Sequence, residues 1–345
     1  MPNPIRVLVV DDSAFMRNAL SRKIELDNRF KVIGTAVDGR DGFEKTLSLK
    51  PDVVTLDVEM PLMNGIEALK AIVSRTKVPV IMVSAVTESG AKTTIEALEI
   101  GAVDFIPKTR GSDLDFIHEK LLAAVNANLA RSTRSVQPVA RHAPPPPPRV
   151  VPLRQQAEIR SKIIVIGSST GGPQALQDVI GQLPPNLPVP IVVAQHMPPQ
   201  FTLALAKRLD ACCPPRVVEA RDGEPLVAGT VYIGPGGMHL RVTQTALKVD
   251  PDRGESLYKP SVDVLAESTL ASFGKGVLGV MLTGMGNDGM REFIKVHRAG
   301  GYTIAQDQAT CVVYGMPRAV VDAGAADEVL PLDKIGLRIR AAFRM

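Results

Sequence analysis

The stretch IIVIGSSTGGPQ, Ile163 to Gln174, decides how the second half of this 345-residue chain is read. Apolar residues run from Ile163 to Ile166, two serines, a threonine and two glycines follow, and Pro173 comes at once. A short apolar run bounded by Gly and Pro reads as a buried strand, and proline suits the first turn of a helix, so the serines sit on a tight strand-to-helix turn. Such a turn cradles a phosphate on helix N-terminal N–H groups, lifts a nucleophile above a sheet edge, or only connects two elements.

Working outward, the flanking sequence is of the same kind. Further apolar runs at 190–195, 230–234, 239–242, 246–249, 276–282 and 302–306 read as strands, with the region from YIGPGGMHLRV to ALKVD as an antiparallel insertion. The first half is more regular: RVLVV (6–10), KVIGTA (31–36), VVTLD (53–57), VPVIMVS (78–84) and VDFIP (103–107) alternate with amphipathic stretches. Strands buried on both faces read as continuous Val/Ile runs, so a five-stranded parallel α/β sheet with right-handed crossovers is expected. Between the halves, Arg131 to Arg160 carries five successive prolines, interspersed arginines and the single acid Glu158. That composition makes a semi-rigid spacer and no core. Expected boundaries are therefore 1–128, a Pro/Arg-rich linker over 129–160, and a mainly parallel, doubly wound α/β domain over 161–345.

Composition narrows the function classes. Hydrophobic content of 45% with 22% charged residues is globular, and the net charge of +4 is modest, with much of the excess arginine in the linker. Neither describes a nucleic-acid-binding face. Cys212 and Cys213 adjoin, Cys311 is distant and no CxxC occurs, which reads as reduced thiols without zinc. The N-terminal apolar run is too short for a signal peptide, and no stretch approaches the roughly 18 apolar residues of a membrane helix. A soluble, cytoplasmic protein with no membrane insertion is expected.

Polar residues at the carboxyl ends of parallel strands mark the ligand edge of each sheet. In the first half these are Asp11 and Asp12 after strand one, Asp57 ending strand three, Ser84 ending strand four and Lys108 after strand five; Asp12 and Ser13 are also candidate helix N-caps. Converging carboxylates repel unless a cation joins them, and Mg²⁺ suits oxygen ligands. An ionised aspartate beside Mg²⁺ and a lysine can attack phosphorus, with Ser84 donating a hydrogen bond. DDSAFMR, TLDVEMPLMNGIEAL, MVSA and DFIPK resemble the flavodoxin-like receiver domain of response regulators, across roughly Ile5 to Leu122. The resemblance implies Asp57 as phosphoacceptor, Asp11 and Asp12 with Asp57 as Mg²⁺ ligands, Ser84 and Lys108 as phosphoryl partners, and a histidine kinase as donor. Thr109 stands where receivers usually carry proline after the lysine.

In the second half GSSTG fits GxSxG, which nominates Ser169 as the exposed serine. The loop lacks GK[ST], and GSSTGG is not GxGxxG, so nucleotide binding is disfavoured. His196 follows another buried strand, at its carboxyl end, and Asp288 lies in the glycine-rich loop of GVLGVMLTGMGNDGM. A hydroxyl, a base and an acid from three strand-end loops are what acyl transfer needs, in the chain order Ser, His, Asp; Ser261, Asp263 and Asp307 compete for a place. The helix start after Ser169 offers an oxyanion donor at the N–H of Thr170 or Gly171. VIGSSTGGPQAL, AQHMPPQFT, YKPSVDVL and MLTGMGNDGM resemble the chemotaxis protein-glutamate methylesterase family over nearly all of residues 160–342. That resemblance implies hydrolysis of glutamate methyl esters on chemoreceptors with release of methanol, deamidation of receptor glutamines, and an oxyanion donor at the Met285 N–H. It also implies that an unphosphorylated receiver blocks the active site and that phosphorylation relieves the block. No cofactor is expected for ester hydrolysis itself. A response regulator with a DNA-binding output and a generic serine hydrolase are the rival readings.

Overall fold

Each apolar run of the first half forms a strand in a computed structural model that describes residues 3–108, 116–134, 161–251 and 257–344. These are β1 (Ile5–Val10), β2 (Phe30–Ala36), β3 (Val53–Asp57), β4 (Val80–Ser84) and β5 (Asp104–Pro107). They make one sheet in the order β2-β1-β3-β4-β5, parallel throughout. Five helices connect and cover it: α1 (Ala14–Glu25), α2 (Gly39–Leu49), α3 (Gly65–Arg75), α4 (Glu88–Ile100) and α5 (Ile117–Arg134). Ser13, not Asp12, caps α1, accepting the Met16 N–H at 3.4 Å. An Asn64–Glu67 capping box fixes the start of α3 just beyond Asp57. The strand order reverses between β1 and β3, and the crevice outside their carboxyl ends is where such sheets bind ligands.

The chain divides into two units, Met1–Arg134 and Ser135–Met345. Helix α5 runs past the expected boundary at 128, to Arg134. Thr109 and residues 135–160 of the expected 129–160 linker lie outside the described residues.

In the second unit the seven-stranded sheet has the order β14-β13-β12-β6-β7-β9-β8 and is parallel throughout. Its strands are β6 (Ile163–Ser168), β7 (Ile191–Gln195), β8 (Arg216–Glu219), β9 (Thr230–Ile233), β12 (Val277–Met281), β13 (Tyr302–Gln306) and β14 (Glu328–Leu330). A separate antiparallel pair is formed by β10 (His239–Val242) and β11 (Leu247–Asp250). The antiparallel insertion is thus smaller than the sequence implies: β9 is buried along its length and pairs in parallel with β7 and β8. The helices are α6 (Gly172–Ile180), α7 (Phe201–Cys212), α8 (Val262–Phe273), α9 (Met290–Arg298), α10 (Met316–Asp322) and α11 (Leu332–Ala342).

Val165, Val192, Val262, Leu265, Met281 and Phe293 are among the residues of the core that seats α8 and α9 on the sheet. Each fully buried side chain of this size contributes about 1.5–3 kcal/mol relative to exposure. Strand order reverses between β6 and β12. The loops after those two strands therefore meet over one crevice, and they are the loops that carry Ser169 and Asp288.

Candidate active site

In the first unit the strand ends bring the expected residues together. Asp11 and Asp57 are buried and Asp12 is exposed, yet the three carboxylates each place an oxygen within 4.8 Å of the others. Lys108 Nζ lies 2.9 Å from Asp11 Oδ2 and 2.6 Å from Asp57 Oδ2. Burial pushes the Asp57 carboxyl up to about 6, and the neighbouring Asp11 adds to this although Lys108 opposes it. Burial disfavours the Lys108 charge, but the two carboxylates outweigh it and hold the ammonium above its ordinary value. Ser84 ends β4 as expected, but its hydroxyl donates to the Gly90 carbonyl at 3.2 Å, while its own carbonyl accepts the Lys108 N–H at 2.6 Å. An open cavity of about 750 Å³ extends from Asp12 and Glu59 along α3 and α4.

In the second unit two adjacent serines have opposite fates. Ser168 closes β6, is fully buried, and donates its hydroxyl to Gln195 Oε1 at 2.6 Å. Ser169 is half-buried at the turn, and its N–H donates to the Thr283 carbonyl at 3.0 Å. Gly171 then adopts φ 75°, a left-handed conformation that also leaves no room for a side chain, since a Cβ would lie 2.6 Å from Val312. The loop after β12 passes as closely: a Cβ on Gly284 would lie 2.9 Å from the Cβ of Ser169. Among the described residues, the next N–H along this loop, that of Met285, donates to no protein group. The Thr170 carbonyl accepts the Thr283 hydroxyl at 3.0 Å, which ties the two loops together.

His196 and Asp288 meet: His196 Nε2 lies 2.7 Å from Asp288 Oδ2. The other ring nitrogen, Nδ1, is buried and has no hydrogen-bond partner among the described residues. Asp288 accepts three further hydrogen bonds, from the Val262 N–H (2.7 Å), the Ser261 hydroxyl (2.9 Å) and the Asp263 N–H (3.1 Å). These donors form the first turn of α8, whose N-cap is Ser261, so the carboxylate sits on the positive end of a helix dipole. Burial pushes the Asp288 carboxyl up, but the hydrogen bonds from His196 and from the Val262 and Asp263 backbone outweigh it and hold it below its ordinary value. Two of the competing residues thus support Asp288. The third, Asp307, caps a separate turn by accepting the Thr310 N–H and hydroxyl.

Two groups escaped the sequence reading. Gln195 is buried at the end of β7, and its Nε2 donates to the carbonyls of Ser169 (2.9 Å) and His196 (3.1 Å). Its position, between an apolar strand and a histidine, was the available signal. Tyr258 stacks on the His196 ring with centroids 4.1 Å apart and planes 5° from parallel.

A receiver pocket on one unit and a Ser/His/Asp edge on the other define a response regulator whose output is an α/β esterase. Residues 164–339 match the family model described as CheB methylesterase, and residues 7–121 match the response regulator receiver domain. A protein-glutamate methylesterase/protein-glutamine glutaminase of Symbiobacterium thermophilum is 46% identical over 353 residues, covering 98% of this chain and 97% of that protein. The protein of that description in Thermotoga maritima is 46% identical over 338 residues, covering 96% of each chain. The crystal structure of the Thermotoga maritima CheB methylesterase catalytic domain shares 45% identity, covers 52% of this chain and 97% of its own, and gives a TM-score of 0.51. The chain belongs to the CheB methylesterase family.

Proposed function

We propose that the chain hydrolyses γ-glutamyl methyl esters of chemoreceptors, releasing methanol, and deamidates receptor glutamines, at a rate set by phosphorylation of Asp57. The observation that carries the hydrolytic reading is the His196–Asp288 hydrogen bond at the switch-point crevice, with Nδ1 left without a partner among the described residues. Ser169 Oγ attacks the ester carbonyl while His196 Nδ1 takes its proton, and Asp288 holds the Nε2–H and offsets the charge that forms on the ring. The Met285 N–H and the helix start at Thr170 receive the developing oxyanion. His196 then returns the proton to the departing methoxide and deprotonates the water that frees the carboxylate. With a glutamine substrate the leaving group is ammonia and the steps are otherwise the same.

Asp57 is the phosphoacceptor in this reading, and a histidine kinase is the donor. The all-oxygen set of Asp11, Asp12 and Asp57 fits Mg²⁺, which supplies positive charge to the transferring phosphoryl group. Lys108 neutralises the attacking carboxylate's surroundings, and Ser84 must turn its hydroxyl from the Gly90 carbonyl to reach a phosphoryl oxygen. Neither site calls for nucleic acid, and among the described residues no helix is long and apolar enough to cross a membrane. A cytoplasmic protein acting on the receptors' cytoplasmic portions fits this reading.

The test is methanol release from methylated receptor membranes, with and without a small-molecule phosphodonor. Wild-type release rises with the donor, Asp57→Asn loses the response, and Ser169→Ala releases none while keeping its circular dichroism. Wild-type turnover by Ser169→Ala refutes the hydrolytic assignment.

A further inference from the structure

We infer that Tyr258 is a positioning residue, fixing the plane of the His196 ring so that Nε2 stays on Asp288 while Nδ1 stays dry and available to Ser169. The inference rests on the proposed esterase reading. A single hydrogen bond to one ring nitrogen sets where the imidazole points but leaves it free to swing about that bond. The stacked ring of Tyr258, 4.1 Å away and within 5° of parallel, removes this remaining freedom. The His196 side chain is only 7% exposed, and Nδ1 has no hydrogen-bond partner among the described residues. A general base that is both dry and unpartnered keeps its lone pair for the incoming hydroxyl and does not spend it on water.

The chain supplies this cover economically. Tyr258 lies just before Ser261, the N-cap whose hydroxyl donates to Asp288, and before the α8 N–H groups that hold the same carboxylate. One short segment, residues 258–263, therefore fixes the imidazole from its face and the acid from its far side. The stack also favours the transition state over the ground state: the ring gains positive charge as Nδ1 takes the proton, and an aromatic face attracts a cation.

The experiment compares Tyr258→Phe, Tyr258→Leu and Tyr258→Ala in the full chain, with Ser169→Ala alongside, by kcat and KM for methyl ester hydrolysis. Histidine ¹⁵N chemical shifts report which ring nitrogen of His196 carries the proton. Wild-type protein shows the proton on Nε2 and none on Nδ1. Tyr258→Phe keeps both that signature and kcat within about twofold, because it keeps the aromatic face. Tyr258→Leu and Tyr258→Ala lose about tenfold or more in kcat with KM little changed, as expected for a misoriented base. They also show mixed protonation of the two nitrogens.

The inference is overturned if Tyr258→Ala retains wild-type kcat, if Tyr258→Phe falls as far as Tyr258→Ala, or if the wild-type proton resides on Nδ1. The wild-type spectrum decides this last point even if the smaller variants fold poorly. An active Ser169→Ala would instead overturn the esterase reading on which the inference stands.

Discussion

Replacing Asp288 by Asn tests the site at its most connected atom pair. The carboxylate accepts four hydrogen bonds, two on each oxygen: His196 Nε2 and the Val262 N–H on Oδ2, the Ser261 hydroxyl and the Asp263 N–H on Oδ1. An amide keeps one acceptor oxygen and turns the other position into a donor. If the NH₂ faces His196, it meets the Val262 N–H and draws the imidazole proton to Nδ1, the nitrogen that must be bare. If it faces Ser261, the hydroxyl can rotate to accept, but the Asp263 N–H is orphaned and no negative charge remains to offset an imidazolium.

Either orientation orphans one part-buried backbone donor, at about 1–3 kcal/mol. Loss of the anion at the α8 N-terminus costs about 0.3–1 kcal/mol more. The unfolding free energy of the second unit should thus fall by about 1–4 kcal/mol at neutral pH. Turnover should fall by about 10²–10⁴. Urea unfolding followed by circular dichroism reads the first quantity and methanol release the second. Because the folded Asp288 carboxyl is held below its ordinary value, its contribution is complete above the unfolded value and is lost as pH falls through the folded one. The gap between wild type and Asp288→Asn must therefore narrow below about pH 4. A variant with kcat within tenfold of wild type and an unchanged urea midpoint would refute the reasoning.

Three further perturbations have outcomes fixed by contacts. In Gly284→Ala the new Cβ would lie 2.4 Å from the Met316 sulfur and 2.9 Å from the Ser169 Cβ, so a loss of about 1–3 kcal/mol in stability and a fall in kcat are expected; a wild-type rate would mean that the loop is not held against Ser169. Gln195→Leu removes the amide donor shared by the Ser169 and His196 carbonyls, and kcat should drop about tenfold with KM little changed, whereas a rise in KM alone would assign Gln195 to substrate binding. For the receiver, burial raises the folded Asp57 carboxyl to about 6, so without divalent cations hydrogen-exchange protection of β3 and β4 should grow as pH falls from above 6 toward 4; Asp57→Asn should lack that slope, and an equal slope in both would place the titration elsewhere.

How far the sequence reached depended on what each element owes to its own residues. The central strands are buried on both faces, so their Val/Ile runs were visible without neighbours. The edges of the second sheet were not. β8 (RVVE) and β14 (EVL) are short and only partly buried, too brief to show either continuous or alternating apolarity. β9 looked like a hairpin arm because glycines and a proline follow it, and only its parallel register against β7 places it in the main sheet. The strand-end positions of Ser169, His196 and Asp288 were legible because each follows an apolar strand closely. The first turn of α8 was not legible as the cradle of Asp288: Ser261 is 27 positions away, and only the packed fold brings the two together. The stack of Tyr258 on His196 escaped for the same reason, since it joins residues from separate loops.

Asp57 and Asp288, at the two switch points, show how environment divides labour between identical side chains. Desolvation opposes the charge of both. Asp288 receives two backbone N–H groups, a hydroxyl and an imidazole, and these donors suffice to keep it anionic, as an acid that orients a base must be. Among the described residues, Asp57 has Lys108 at 2.6 Å and a single backbone donor, Glu59 N–H at 3.4 Å, with Asp11 alongside as a second anion; that set leaves its charge poorly compensated. A carboxylate so placed gains more from an arriving divalent cation than a satisfied one does, and it keeps an oxygen that no backbone group has claimed. In the proposed reading, under-compensation at Asp57 would couple phosphoryl acceptance to metal binding, while Asp288 has its charge compensated by protein donors.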